Sequence, residues 1–200
     1  ALSDILVIEV ARDKEIWCQN YERGNPITPL KKIGKTSNRR GTKIRFHPDP
    51  QIFESKIQFS PTILYQMVRS KAYLFKGVEI RWQCDVSIIK NNSKVPEIET
   101  LHFPGGLKDF LMLSLKGRNT LTPEPFTGGR DIAHKAGRVE WSIGWPIDED
   151  GYFNSYCNTI PTPEGGTHET GLKSAINRGL KNYGELVKNK AASRINAEDI

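Results

Sequence analysis

Two rhythms of apolar residues run along the chain, and each predicts its own kind of element. Apolar residues dominate residues 5–11 and recur through 15–21 on either side of a polar turn at 12–14, a pattern that predicts a hairpin. Gly24-Asn25-Pro26 predicts a loop. Residues 41–46 alternate strictly, so Thr42, Ile44 and Phe46 face one way while Lys43 and Arg45 face the other. His47-Pro48-Asp49-Pro50 ends that strand, since proline has no amide to give to a ladder. The period then turns helical. Ser60-Pro61 supplies a cap and a first helical residue, Leu64, Met67, Val68 and Leu74 an apolar stripe, and Gly77 a stop. Strands are predicted over 78–90 and 97–103 around a turn at 91–94, then a short apolar helix over 107–115 after the break at Gly105-Gly106.

In the second half, the Pro/Gly/Thr-rich stretch 119–129 predicts a linker. RVEWSIGW alternates, with Val139, Trp141, Ile143 and Trp145 on one face, and Asp148-Glu149-Asp150-Gly151 turns the chain into YFNSYCNTI, predicting a second hairpin. From Gly171 onward Leu172, Ala175, Ile176, Gly179, Leu180, Tyr183, Leu186 and Val187 fall at helical spacing and predict a packed face. Lys173, Asn177, Arg178 and Lys181 fall on the other face, and Thr167 is placed to cap the helix. Strands beside helices, with no internal repeat, predict an α+β fold.

Composition narrows the class. With 200 residues, 37% hydrophobic and 26% charged, the chain has enough apolar side chains for a real core in one large or two small domains. No apolar run reaches the roughly 20 residues of a membrane-spanning helix, and the opening segment lacks an export leader, so a soluble cytoplasmic protein is expected. Cys18, Cys84 and Cys157 form no C-x-x-C pair and are expected to be free, buried thiols. The chain enters its first strand without a methionine, and Asn196 has the character of a cap whose helix is missing; both predict a piece of a longer protein. The net charge of +6 lies entirely in the first half: residues 1–104 hold 17 Lys and Arg against 11 Asp and Glu, residues 105–200 hold 12 against 12. Lys31, Lys32, Lys35, Arg39, Arg40, Lys43 and Arg45 crowd one stretch, either a solvated basic loop or a surface that attracts a polyanion.

Most short motifs fail their chemistry. Gly34-Lys35-Thr36 resembles the end of a phosphate-binding loop, but the glycine required five positions earlier is Pro29. His168-Glu169 would open a zinc-protease helix, but Leu172 stands where the second histidine belongs. His47, His102 and His134 have no metal-ligand spacing. No metal site is expected, and no nucleophile, base and orienting group can be paired from spacing alone. IPTPEGGTHETG keeps two readings, a helix cap or an anion loop at a helix N-terminus, and the cap is favoured because most capped helices bind nothing.

Two long phrases carry a family resemblance. YFNSYCNTIPTPEGGTHETGLKSAINRGLKNYG resembles the signature at the start of the transducer domain in the B subunit of bacterial type IIA topoisomerases, and RGTKIRFHPDPQIF resembles the motif that closes the nucleotide-binding domain of the same subunit. They occur in the family's order and separation, and NTIPTPEGGTHETGL with LTPEPF is nearer the topoisomerase IV branch than the gyrase branch. The resemblance implies the C-terminal part of a GHKL (Bergerat) ATPase sandwich over residues 1–104 and the first part of a ribosomal-S5-domain-2-like transducer over 105–200. It implies a parent that uses ATP and magnesium, dimerises on ATP binding, works with an A subunit and passes one DNA duplex through another. By position, Thr42 resembles the threonine that reaches toward adenine, partly through water, and Ile44 the apolar wall of that pocket. Arg178 resembles an arginine of the DNA-receiving cavity, with Lys173 and Lys181 on the same helix. The family's water-activating Glu, magnesium-holding Asn, adenine-reading Asp and glycine-rich lid precede the position of Ala1, and its Gln-Thr-Lys lysine follows that of Ile200. The segment alone is therefore expected neither to hydrolyse ATP nor to bind it tightly. Outside this family, the basic stretch and the Arg178 face would suit a non-enzymatic DNA-binding module.

Overall fold

The computed structural model describes residues 2–53, 58–91, 93–132, 137–147, 151–196 and 200. It forms an α+β fold in two compact units, Ala1–Ser60 and Pro61–Ile200. The predicted turns at 91–94 and 148–151 and the cap at Asn196 involve Asn92, residues 148–150 and residues 197–199, outside the described residues, as does His134.

Ala1–Ser60 is a five-stranded antiparallel sheet. β1 (Ser3–Arg12) and β2 (Glu15–Glu22) form the predicted hairpin. β3 (Asn25–Pro26) and β4 (Lys31–Lys35) both pair with β2, and β5 (Gly41–Pro48) pairs with the other edge of β1. The basic stretch is therefore not one loop. Its first part is strand β4 and its last part strand β5, on opposite sides of the β1–β2 hairpin, with only residues 36–40 as connection.

The second unit is built around α1 (Pro61–Leu74), which ends before Gly77, a residue with φ of +82°. The strand predicted over 78–90 is shorter: β6 (Glu79–Gln83) pairs with β7 (Ile98–His102), and Val86–Ile88 is a 3-10 turn that Asp85 caps by accepting from the Ser87 amide. α2 (Leu107–Ser114) starts after Gly106, whose φ of +66° is the left-handed conformation that favours glycine. Ala72, Tyr73, Leu101 and Phe103 form the core, and Tyr65, Val68, Ile80, Phe110 and Tyr156 pack against it. Tyr73 stacks on Phe110 with centroids 4.0 Å apart and meets Phe103 edge-on, the two aromatic geometries that ring quadrupoles prefer. Met67, predicted in the α1 stripe, is instead exposed, because Ser70, Ala72 and Tyr73 form the buried side of that helix.

Two predictions fail in the second half for one reason: strand partners are chosen by register, not by nearness along the chain. β8 (Phe126–Ile132) rises out of the supposed linker and pairs with β9 (Gly137–Ile143). YFNSYCNTI does not return along β9; β10 (Tyr156–Cys157) turns on itself to pair with β11 (Ile160–Pro161). Gly128 lies opposite Trp141, and a Cβ there would come within 2.4 Å of the indole, so glycine is what lets the ring lie across the ladder. The cysteines are free as expected but not buried: Cys18 and Cys84 are half-buried and Cys157 is exposed.

Candidate functional site

Two surfaces hold the side chains that the sequence singles out, one in each unit. In the sheet, Thr42 lies opposite Val10, Ile44 opposite Ile8 and Phe46 opposite Leu6, while the next strand places Trp17, Gln19 and Tyr21 across from the same three β1 residues. Directly opposed residues share a face. One face of the sheet is therefore largely apolar, with the Thr42 hydroxyl at one end of a row that continues through Ile44 and Phe46. Ile44 is 61% exposed and Phe46 55%, so the row is an open wall. A hydroxyl beside an aliphatic side chain suits the edge and face of a planar heterocycle, one hydrogen bond for orientation and apolar area for affinity.

Asp49, which along the sequence marks only a strand stop, secures this wall. Only 2% exposed, its carboxylate accepts from Arg23 Nε at 2.8 Å and from the Gln51 amide at 2.9 Å. Its backbone carbonyl accepts from the Ile52 and Phe53 amides, and its own amide donates to the Leu2 carbonyl. The Arg23 guanidinium, followed by the Gln51 amide, holds the carboxyl below the usual range for aspartate and raises Arg23 in turn. The available signal was an acidic residue between two prolines, a place where a carboxylate without a partner would gain nothing.

The second surface begins at the hairpin of β10 and β11 and continues into α3 (Thr167–Leu186). Lys71 of α1 donates to both the carbonyl and the hydroxyl of Thr159 at 2.7 Å, and the Tyr73 and Tyr156 hydroxyls lie 2.5 Å apart. Burial, and then the Tyr156 hydroxyl, push the Tyr73 phenol well above its ordinary range. Tyr65, packed against the core and bonded to Glu99, is pushed up to about 12, chiefly by burial. The hairpin is thus bolted to α1 through Lys71–Thr159 and Tyr73–Tyr156.

Beyond the hairpin a chain of polar groups shapes the glycine loop. Ser155 Oγ lies 2.6 Å from Thr162 Oγ1, which lies 3.3 Å from His168 Nε2. The Gly165 amide donates to the Thr162 carbonyl, and Gly165 has a φ of +72°. His168 is a fastening of this loop. Thr167 is not the cap: Gly166 occupies that position with no side-chain bond, and Thr167 is the first helical residue. A Cβ on Gly166 would come within 2.8 Å of the His168 ring, so a larger residue there would displace the imidazole.

The predicted faces of α3 are only partly observed. Leu172 and Ile176 are half-buried, but Leu180, Tyr183 and Leu186 stand exposed, Tyr183 at 64%. The side turned to the protein carries Lys173, Asn177, Lys181 and Gly184. Lys173 places its ammonium over the Phe153 ring at 5.5 Å, and the buried Gly184 leaves room for Ala192, which a Cβ would meet at 2.1 Å. Of the three cations singled out, Arg178 is exposed and Lys181, three positions on, is its neighbour on the helix surface. Lys173 lies about 140° around the axis from Arg178 at 3.6 residues per turn. Lys181 is thus the half-buried neighbour of the exposed Arg178, while Lys173 is tied to Phe153. Among the described residues no group of three or more His, Cys, Asp and Glu could hold a metal ion, and no helix is long and apolar enough to cross a membrane.

Known proteins match this chain throughout. Residues 106–200 match the DNA gyrase B family. The chain is 50% identical over 200 residues to the B subunit of DNA topoisomerase 4 from Bartonella bacilliformis, covering all of this chain and 29% of that protein. It is 46% identical over 204 residues to the protein of the same name in Caulobacter vibrioides, again covering 29%. Among solved structures, the topoisomerase IV ATP-binding domain of Francisella tularensis, in complex with a small-molecule inhibitor, matches with a TM-score of 0.69 and 31% identity, covering 100% of this chain and 51% of that one. The chain thus spans less than a third of the curated relatives it matches.

Proposed function

We propose, for a chain that belongs to the family of DNA gyrase and topoisomerase IV B subunits, that it is part of the ATP-operated clamp of topoisomerase IV. The observation that carries this reading is the unbroken 50% identity to a topoisomerase 4 B subunit, which runs across both compact units. On this reading residues 1–104 are the end of a GHKL ATPase domain and 105–200 the start of an S5-like transducer. The parent is a cytoplasmic, ATP- and magnesium-dependent type IIA topoisomerase that dimerises on ATP binding and pairs with an A subunit. It relaxes and decatenates double-stranded DNA.

In the clamp, Thr42 and Ile44 form one wall of the nucleotide pocket. The open apolar sheet face suits this role: the hydroxyl orients the adenine edge and the aliphatic side chain flanks it. ATP supplies the free energy that closes and reopens the clamp; this chain's residues hold and orient. No catalytic residue lies in it. Its attachment of hairpin to helix, through Lys71–Thr159 and Tyr73–Tyr156, is suited to carrying a displacement from one domain to the next. Arg178, with Lys181 beside it and Lys173 on the same helix, faces the DNA cavity and contacts phosphates without reading bases.

The test is reconstitution of the full-length B subunit with its A subunit. ATP-dependent relaxation and decatenation are expected; introduction of negative supercoils would transfer the protein to gyrase, and no strand passage would sink both. Arg178→Ala is expected to lower DNA-stimulated ATP turnover, and an unchanged rate would remove the cavity role.

A further inference from the structure

The basic stretch of the sequence is dispersed by the fold and then partly reassembled with residues from elsewhere. β4 and β5 lie on opposite sides of the β1–β2 hairpin, about 14 Å apart at strand spacings of about 4.8 Å. Both nevertheless place cations at the same end of the sheet, the end capped by the turn at Asp13-Lys14. Lys35 of β4 pairs with Glu15 beside that turn, and the first residue of β5, Gly41, pairs with Ala11 just before it. The connection 36–40 crosses this end, tied to the turn by the Thr36 amide donating to the Lys14 carbonyl at 2.9 Å.

The carboxylates at this end are already engaged. Glu9 pairs with Arg39 at 3.1 Å and Lys43 at 3.5 Å, Glu15 with Lys32, and Asp13 with Arg12 at 3.4 Å. Four cations are thereby matched to three carboxylates. Lys14, Lys35 and Arg40 are exposed and make no ion pair among the described residues. They come from a hairpin turn, a strand end and a connecting loop, yet they share one rim. A single solvated run of charge would spread along one element; here a backbone hydrogen bond and two strand registers hold three uncompensated cations together.

We infer that this rim is a second DNA-binding surface, separate from the Arg178 face, on which Lys14, Lys35 and Arg40 contact backbone phosphates of a duplex. Two ammonium groups and a guanidinium on long stems, without an ion-pair partner among the described residues, suit backbone phosphates. A rim about 14 Å wide spans successive phosphates, which repeat every 3.4 Å along the axis of each strand of a duplex. The choice of DNA as the polyanion rests on the proposed function; the rim itself does not.

The experiment measures binding of the full-length B subunit to a short fluorescent duplex across about 50 to 200 mM salt, where each phosphate contact adds about 0.9 to the slope of log affinity against log salt. Lys14→Gln, Lys35→Gln and Arg40→Gln together are expected to reduce the slope by about two to three, with the loss of affinity greatest at the low-salt end. The charge-keeping set Lys14→Arg, Lys35→Arg and Arg40→Lys should retain the wild-type slope. Arg178→Ala should lower the slope independently, so that the combined variant shows the sum. An unchanged slope in the glutamine set overturns the rim, as does a glutamine set that loses affinity for poly-glutamate but keeps its affinity for the duplex. Failure of strand passage with the slope difference intact would remove the proposed enzyme and leave the rim.

Discussion

The two compact units close their apolar surfaces to very different degrees. In Pro61–Ile200, Ala72, Tyr73, Leu101 and Phe103 are buried by residues of the same unit, with Phe110 and Tyr156 completing the cluster. In Ala1–Ser60, five strands pair along their backbones, yet Ala11 is the only apolar residue among the described ones that is buried. Backbone pairing organises a sheet without covering its face; a layer needs a second layer to exclude water. The first unit is thus ordered by its ladder, its turns and the Asp49 junction, the second by packing.

Tyr73→Ala strikes hardest at this contrast, because it removes the ring at the centre of the second unit. It is expected to cost about 3–5 kcal/mol in chemical denaturation, the range for a large aromatic deleted from a packed core. A loss below about 1 kcal/mol would mean that the cluster is not the seat of stability.

A smaller and pH-dependent effect is expected from the junction in the first unit. Asp49 is held below its unfolded value near 3.9, so its contribution is present above that pH and is lost as pH falls through the lowered folded value. Urea midpoints followed from neutral pH into the acid range should therefore drop more steeply for the wild type than for Asp49→Asn, which starts lower because Arg23 loses its charged partner. Parallel curves would show that Asp49 does not anchor the sheet end.

The smallest effect should come from Ile44→Ala. With most of the side chain in water, it is expected to change the stability of this chain by about 0.5 kcal/mol or less. The same substitution should weaken nucleotide binding by the full-length B subunit. A large stability loss with unaltered nucleotide affinity would make Ile44 a packing residue and take it out of the proposed pocket wall.

Where period and punctuation agreed, the elements were legible. The first hairpin, the strand carrying Thr42 and Ile44, the helix opening at Pro61 and the helix after Gly106 all follow from alternation, helical spacing, Pro and Gly. The α3 stripe misled because spacing identifies an apolar side without saying what lies opposite it. The side that meets the rest of the unit was set by Phe153 beneath Lys173 and Ala192 against Gly184. β8 was hidden because its glycines read as breakers, although Gly128 is there to accommodate Trp141 across the ladder.

Residue order was enough for the α+β class, for the alternation that puts Thr42 and Ile44 on one side of a strand, and for the two phrases that mark the family. Those properties reside in neighbouring residues. It took the folded chain to part the basic stretch around a hairpin and bring it to Lys14 at the rim, to bury Asp49 against Arg23, and to stand Arg178 with Lys181 while Lys173 turned to Phe153. Each of these depends on a partner distant in sequence or on the side a helix turns to its neighbours, and charge or spacing along the chain contains no record of either.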